Sequence, residues 1–96
     1  QVTRVVWTDP AIEDLDAIHG YIATDSPVYA DAVIADILDA VDRLKQFPLS
    51  GHLLPELDDD QTREIVVGNY RVIHEVDEQA VRILTVVHGA RQFPLA

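Results

Sequence analysis

Arg71, His88 and Arg91 are the residues of this 96-residue chain whose types and positions could act on a phosphate or grip a carboxylate. A guanidinium is a planar fork that meets either anion with two parallel hydrogen bonds. Arg71 follows a break in "REIVVGNYRVIHEV", and Arg91 follows the apolar run of "VRILTVVHGAR", which His88 closes. General acid-base cleavage needs a proton acceptor and a donor of suitable pKa, and of these three only His88 can titrate near neutrality. The plainer reading, ordinary surface arginines without a catalytic companion, fits the pattern as well. Other chemistries find less support. His19, His52, His74 and His88 show no metal-ligand spacing, no glycine-rich phosphate loop exists, and neither serine sits in a nucleophile turn. The carboxylates fall on polar helix faces or in the Asp58 to Asp60 run, where solvation explains them. The chain therefore implies no metal and no cofactor.

The elements that must position these residues are legible from spacing. "VTRVVW", Val2 to Trp7, is a β-branched run that predicts a first strand. Thr8 or Asp9 can cap a helix with Pro10 at its first position, and Ala11, Ile12, Leu15, Ile18 and Ile22 recur at helical spacing on one stripe. His19 falls on that stripe, which predicts a hydrogen-bonded core histidine. Ser26-Pro27 repeats the cap-and-proline start, and Val33, Ile34, Ile37, Val41 and Leu44 share a face of a second helix that Pro48 stops. The short link predicts an antiparallel helical hairpin. Pro48 to Gln61 reads as loop. Strands then follow over Arg63 to Val67, Tyr70 to Val76 and Val81 to His88, with a tight turn at Gly68-Asn69 and a second at Asp77-Glu78-Gln79. His74 alternates with Tyr70, Val72 and Val76, so its face is either core or cleft. The expected architecture is α+β, in the order β-α-α-β-β-β, an antiparallel sheet covered on one face by the hairpin and forming one domain over residues 1–96.

Composition limits the partners. Half the residues are hydrophobic (48%), no apolar run reaches bilayer length, and the absence of cysteine removes disulfides and thiolate chemistry. A soluble cytoplasmic protein is the expectation. The net charge is −10, and it is segregated. Residues 1–62 carry three Lys and Arg against thirteen Asp and Glu, whereas residues 63–96 carry Arg63, Arg71, Arg82 and Arg91 against four acids. The excess negative charge precedes the closing strands and opposes nucleic-acid binding over most of the chain.

Taken together, "VVWTDPAIEDLDAIHGYI", "ADAVIADILDAVDRLKQFPLSG", "REIVVGNYRVIHEV" and "VRILTVVHGAR" resemble the RelE/ParE toxin superfamily across nearly the whole length. That resemblance implies a toxin of a type II toxin-antitoxin module, neutralised by a cognate antitoxin. In the ParE-like branch the target is DNA gyrase and no hydrolytic centre is known. The RelE-like branch cuts mRNA on the ribosome. Arg71 matches the arginine of the family's Tyr-Arg pair and Arg91 the arginine after the closing strand, which in the RelE-like branch act on the scissile phosphate. The tail "QFPLA" lacks that branch's tyrosine, and Gly89 follows His88. The ParE-like reading is therefore favoured. The alternatives are mRNA cleavage by Arg71, His88 and Arg91, or a toxin-fold binding module without retained activity. Arg71, His88 and Arg91 are candidates for target binding; Arg63, Arg71, Arg82 and Arg91 are candidates for receiving an acidic antitoxin segment whose apolar anchors lie beside the hairpin or along a sheet edge.

Overall fold

A computed structural model of the chain describes residues 3–54 and 57–89. Strand β1 (Arg4–Trp7) leads into helix α1 (Asp9–Ala23) and helix α2 (Pro27–Asp42), the latter extended by a 3-10 turn (Arg43–Lys45). Strands β2 (His52–Leu53), β3 (Thr62–Val67), β4 (Tyr70–Val76) and β5 (Ala80–His88) complete a five-stranded sheet of order β1-β5-β4-β3-β2.

Both helices begin where a side chain relieves unpaired backbone donors. The Thr8 hydroxyl accepts from the Ala11 N–H, and the Ser26 hydroxyl accepts from the Tyr29 N–H at 3.1 Å. A proline stands within the first two positions of each helix, Pro10 in α1 and Pro27 in α2, where its missing N–H costs nothing. From α2, Ile37, Val41 and the following Leu44 are buried against Val72, Val81, Ile83 and Val86 of the sheet, and Val5, Trp7, Leu15, Ile18 and Val33 pack around them. Each fully buried aliphatic side chain contributes about 1.5–3 kcal/mol through removal from water. Of the residues expected on the α1 stripe, Ile12 departs: it is 47% exposed, because the helix buries a narrower strip centred on Ala11. His19 is also not a core residue. Its side chain is 42% exposed, and its Nε2 meets Asp31 of α2 at 2.8 Å, tying the hairpin together at the surface.

The three closing strands pair antiparallel as expected. The turn between β3 and β4 is a two-residue loop, with Val67 opposite Tyr70, and Gly68 takes φ of +57°, a value open to glycine without steric cost. Two features go beyond the antiparallel expectation. The first is that β1 joins β5 in parallel, Val5 opposite Val81 and Trp7 opposite Ile83, which makes the sheet mixed. A strand followed by a helical hairpin can return beside the last strand of a meander, since a parallel pair needs only a long connection. The second is β2, which lies within the stretch read as loop. Its two residues, paired with Glu64 and Arg63, are too few for alternation to reveal.

A bulge interrupts the β4–β5 pairing. Ile73 faces Thr85 and His74 faces Ile83, so Leu84 has no opposite number. A bulge leaves ladder groups unpaired, and α1 satisfies them. Thr8 donates its hydroxyl to the Ile83 carbonyl at 2.6 Å and approaches that of Leu84 at 3.3 Å, while the Asp14 carboxylate accepts from the Val86 N–H at 3.0 Å and from the Thr85 hydroxyl.

Candidate functional site: an arginine face and an aromatic end

Alternation along the strands sorts the candidate residues onto two faces. Tyr70, Val72, Val76, Val81, Ile83 and Ile65 belong to the helix-covered core or pack on it. Their neighbours Arg71, Glu75, Arg82 and Glu64 consequently project from the opposite face. There Arg71 pairs with Glu64 on the adjacent strand, Nε to Oε1 at 2.5 Å, with side chains only 11% and 15% exposed. Arg82 pairs with Glu75 directly across the β4–β5 ladder. Two of the four candidate arginines are thus matched by carboxylates of the same face.

Arg63 sits on the helix side. Its Nη1 donates to the carbonyls of Gly51 at 3.0 Å and Leu49 at 3.4 Å, so it staples the loop after α2 to the sheet. It lies across from His74, which is completely buried. Burial pushes His74 below the ordinary imidazole range; the Val72 backbone opposes this less strongly, and the Arg63 charge adds a little to the lowering. Neither ring nitrogen has a partner in hydrogen-bonding geometry among the described residues. Gly51 closes the space: a Cβ there would come within 2.8 Å of the His74 ring and 2.7 Å of the Glu64 carbonyl oxygen. Of core and cleft, the structure gives His74 the core.

His88 keeps other company. It lies opposite Tyr70 in the ladder, with ring centroids 5.6 Å apart and planes at 79°, an edge-to-face contact on the face of the helices. His88, Tyr70, Asp14, Ile18 and the exposed Tyr21 line a groove of about 370 Å³ between α1 and the end of the sheet. Arg71 and His88 therefore sit on opposite faces of adjacent strands and are not brought together. Arg91 lies outside the described residues. Among the described residues there is no group of three or more side chains able to hold a metal ion, and no helix is long and apolar enough to cross a membrane.

Two acids of the connecting segments do more than face solvent. Asp59 accepts from the Gln61 N–H at 2.7 Å and from the Thr62 hydroxyl, and Asp77 accepts from the N–H groups of Gln79 and Ala80. These bonds hold both carboxyls below the usual range. The signal was present as a shared Asp-x-Gln at the entry to a strand, the spacing of an Asx turn. Asp14 gave no such signal, since its partners lie on β5, more than seventy residues away.

The comparisons with known proteins agree with this architecture. A family described as the ParE toxin of type II toxin-antitoxin systems, parDE, matches residues 5–93. The chain is 38% identical over 97 aligned positions to the protein of Sinorhizobium fredii named "Putative toxin Y4kP", covering 95% of this chain and 93% of that protein. It is 34% identical over 94 positions to toxin RelE2 of Caulobacter vibrioides, covering 94% and 99%. Among solved structures it is similar to a chain of the chromosomal ParDE system of P. aeruginosa, with a TM-score of 0.75 and 24% identity over 91% of this chain and 96% of that one. It is also similar to a chain of the RelBE2 toxin-antitoxin complex of Mycobacterium tuberculosis, with a TM-score of 0.60 and 24% identity over 92% and 99%.

Proposed function

The chain belongs to the ParE toxin family of type II toxin-antitoxin systems, and from that premise we propose that it arrests growth by inhibiting DNA gyrase until a cognate antitoxin sequesters it. The observation that carries the choice of target is the pairing of Arg71 with Glu64 while His88 turns to the other face. Cleaving RNA requires a cation on the phosphate and a proton donor within reach of the same atoms. Here the guanidinium is matched by a carboxylate, and His88 lies on the other face of the sheet. A net charge of −10 further disfavours a polyanionic substrate.

The test is a supercoiling assay with purified gyrase and the refolded chain freed of antitoxin. The reading expects loss of supercoiling and accumulation of cleaved DNA as the chain is added. Full supercoiling at large molar excess of folded protein would exclude it. Ribosome-dependent mRNA cleavage is the second reading, favoured by the likeness to toxin RelE2. It requires message to be cut in a translating extract and cutting to fail in His88→Ala; intact message removes it.

For the antitoxin, the arginine face and the exposed β2 edge supply the receiving surface. Arg71 and Arg82 are already matched internally, so an acidic antitoxin segment gains little by meeting them unless it exchanges partners with Glu64 or Glu75. Its apolar contacts must then supply most of the affinity.

A further inference from the structure

All three tyrosines of the chain gather at one end of the molecule; Tyr70 packs against the core, but the exposed Tyr21 and Tyr29 are not core residues. Tyr70 is the ridge between two hollows. On one side lies the groove with Tyr21, Ile18 and His88; on the other, a smaller hollow of about 120 Å³ lined by Tyr29, Val33 and the Gly68-Asn69 turn. Tyr21 is 82% exposed, Tyr29 58% and neighbouring Val28 81%. It is their grouping around two adjoining hollows, rather than their exposure singly, that marks a contact surface. Among the described residues the formal charges lining the two hollows have one sign. Asp14 lines the first and Asp36 the second, and no lysine or arginine lines either among the described residues.

We infer that this aromatic end is a second docking surface, which takes a protein segment with aliphatic or aromatic anchors and cationic flanks. The hollows accept the anchors, tyrosine faces attract guanidinium groups through their π-electrons, and the two aspartates complement the flanking charge. A nucleic acid is disfavoured, since its phosphates would meet Asp14 and Asp36. The surface is distinct from the arginine face, and the inference holds whichever target the toxin has.

Titration followed by amide chemical shifts tests it with defined probes. The first is a short peptide carrying tryptophan and leucine between arginines; the second replaces the arginines by glutamates; the third keeps the arginines and replaces tryptophan and leucine by alanine. The expectation is saturable shifts confined to residues 14–21, 29–36, 68–70 and 86–88 with the first peptide alone. Tyr21→Ser and Tyr29→Ser, at exposed positions that leave the core intact, should each weaken binding roughly tenfold, and Asp36→Asn should flatten its salt dependence. No shift with the first peptide up to its solubility limit, equal shifts with the glutamate peptide, or shifts elsewhere would overturn the inference. So would a concentration-dependent dimer that protects these same residues, which would make a second copy the occupant.

Discussion

At the scale of single residues, Arg71 and Glu64 hold each other where losing one partner costs more than losing both. Each side chain is largely buried, so truncating one strands a desolvated charge. Arg71→Ala should lower unfolding stability by about 3 kcal/mol, whereas Arg71→Met with Glu64→Leu should come close to the parent. Urea denaturation of Arg71→Met, Glu64→Leu and the double variant gives the coupling directly, and additive losses would show that the pair is weakly linked. His74 supplies a pH dependence. Its imidazole titrates below the ordinary 6.5 because the folded state disfavours the charged ring. The unfolded chain therefore binds the proton first, so the stabilisation is complete above the unfolded value and is lost as pH falls through it. Melting temperature should drop as pH falls from about 7 to about 5, and the drop should shrink in His74→Leu if this ring is its source. Thermal scans across that range decide it.

Among the elements, the β4–β5 bulge and the start of α1 depend on one another. Thr8 both caps the helix and takes up carbonyls freed at the bulge; Asp14 takes up the donors. Thr8→Val keeps the shape and removes these bonds, so it should cost about 1–2 kcal/mol. Ser26→Ala, whose hydroxyl serves the α2 cap, should cost about 1 kcal/mol or less. Chemical denaturation ranks the two, and equal losses would refute the double role of Thr8. The sequence announced the elements better than their mutual placement. Cap, proline and period marked both helices, and Gly68-Asn69 marked the hairpin, because these signals are local. The parallel partner of β1, the bulge at Leu84 and the role of Asp14 arise from contacts across most of the chain, which no local spacing encodes. The candidate site was legible to the same degree. Arg71, Arg63 and Arg82 could be named from residue type, but Glu64, Gly51 and Glu75 as their partners follow from strand register.

For the whole molecule, the distribution of charge governs how partners approach. The helices carry the excess of acid, and the arginine face is close to internally neutral. Binding of the cognate antitoxin should therefore depend little on ionic strength, with truncation of its buried anchors costing about 2 kcal/mol or more and rim charges less. Calorimetric titration at low and high salt checks this, and a steep loss of affinity with salt would make the arginines the main attachment.

The parallel seam between the first strand and the last has a consequence for synthesis. Among the described residues β1 pairs with β5, and the cap and early turns of the helix that follows β1 bond through Thr8 and Asp14 to Ile83, Leu84, Thr85 and Val86. Contacts of such long sequence separation close late, since the intervening loop must first surrender its entropy. During translation, the emerging helices and the β3–β4 hairpin have local structure to form, but the first strand waits for the final strand to be made. The toxin fold is thus sealed by its own last strand, and a half-made chain carries no assembled toxin surface. A ribosome producing this protein is exposed to an assembled toxin fold only once β5 has been made, which leaves the interval of its synthesis for an antitoxin already present to be at hand.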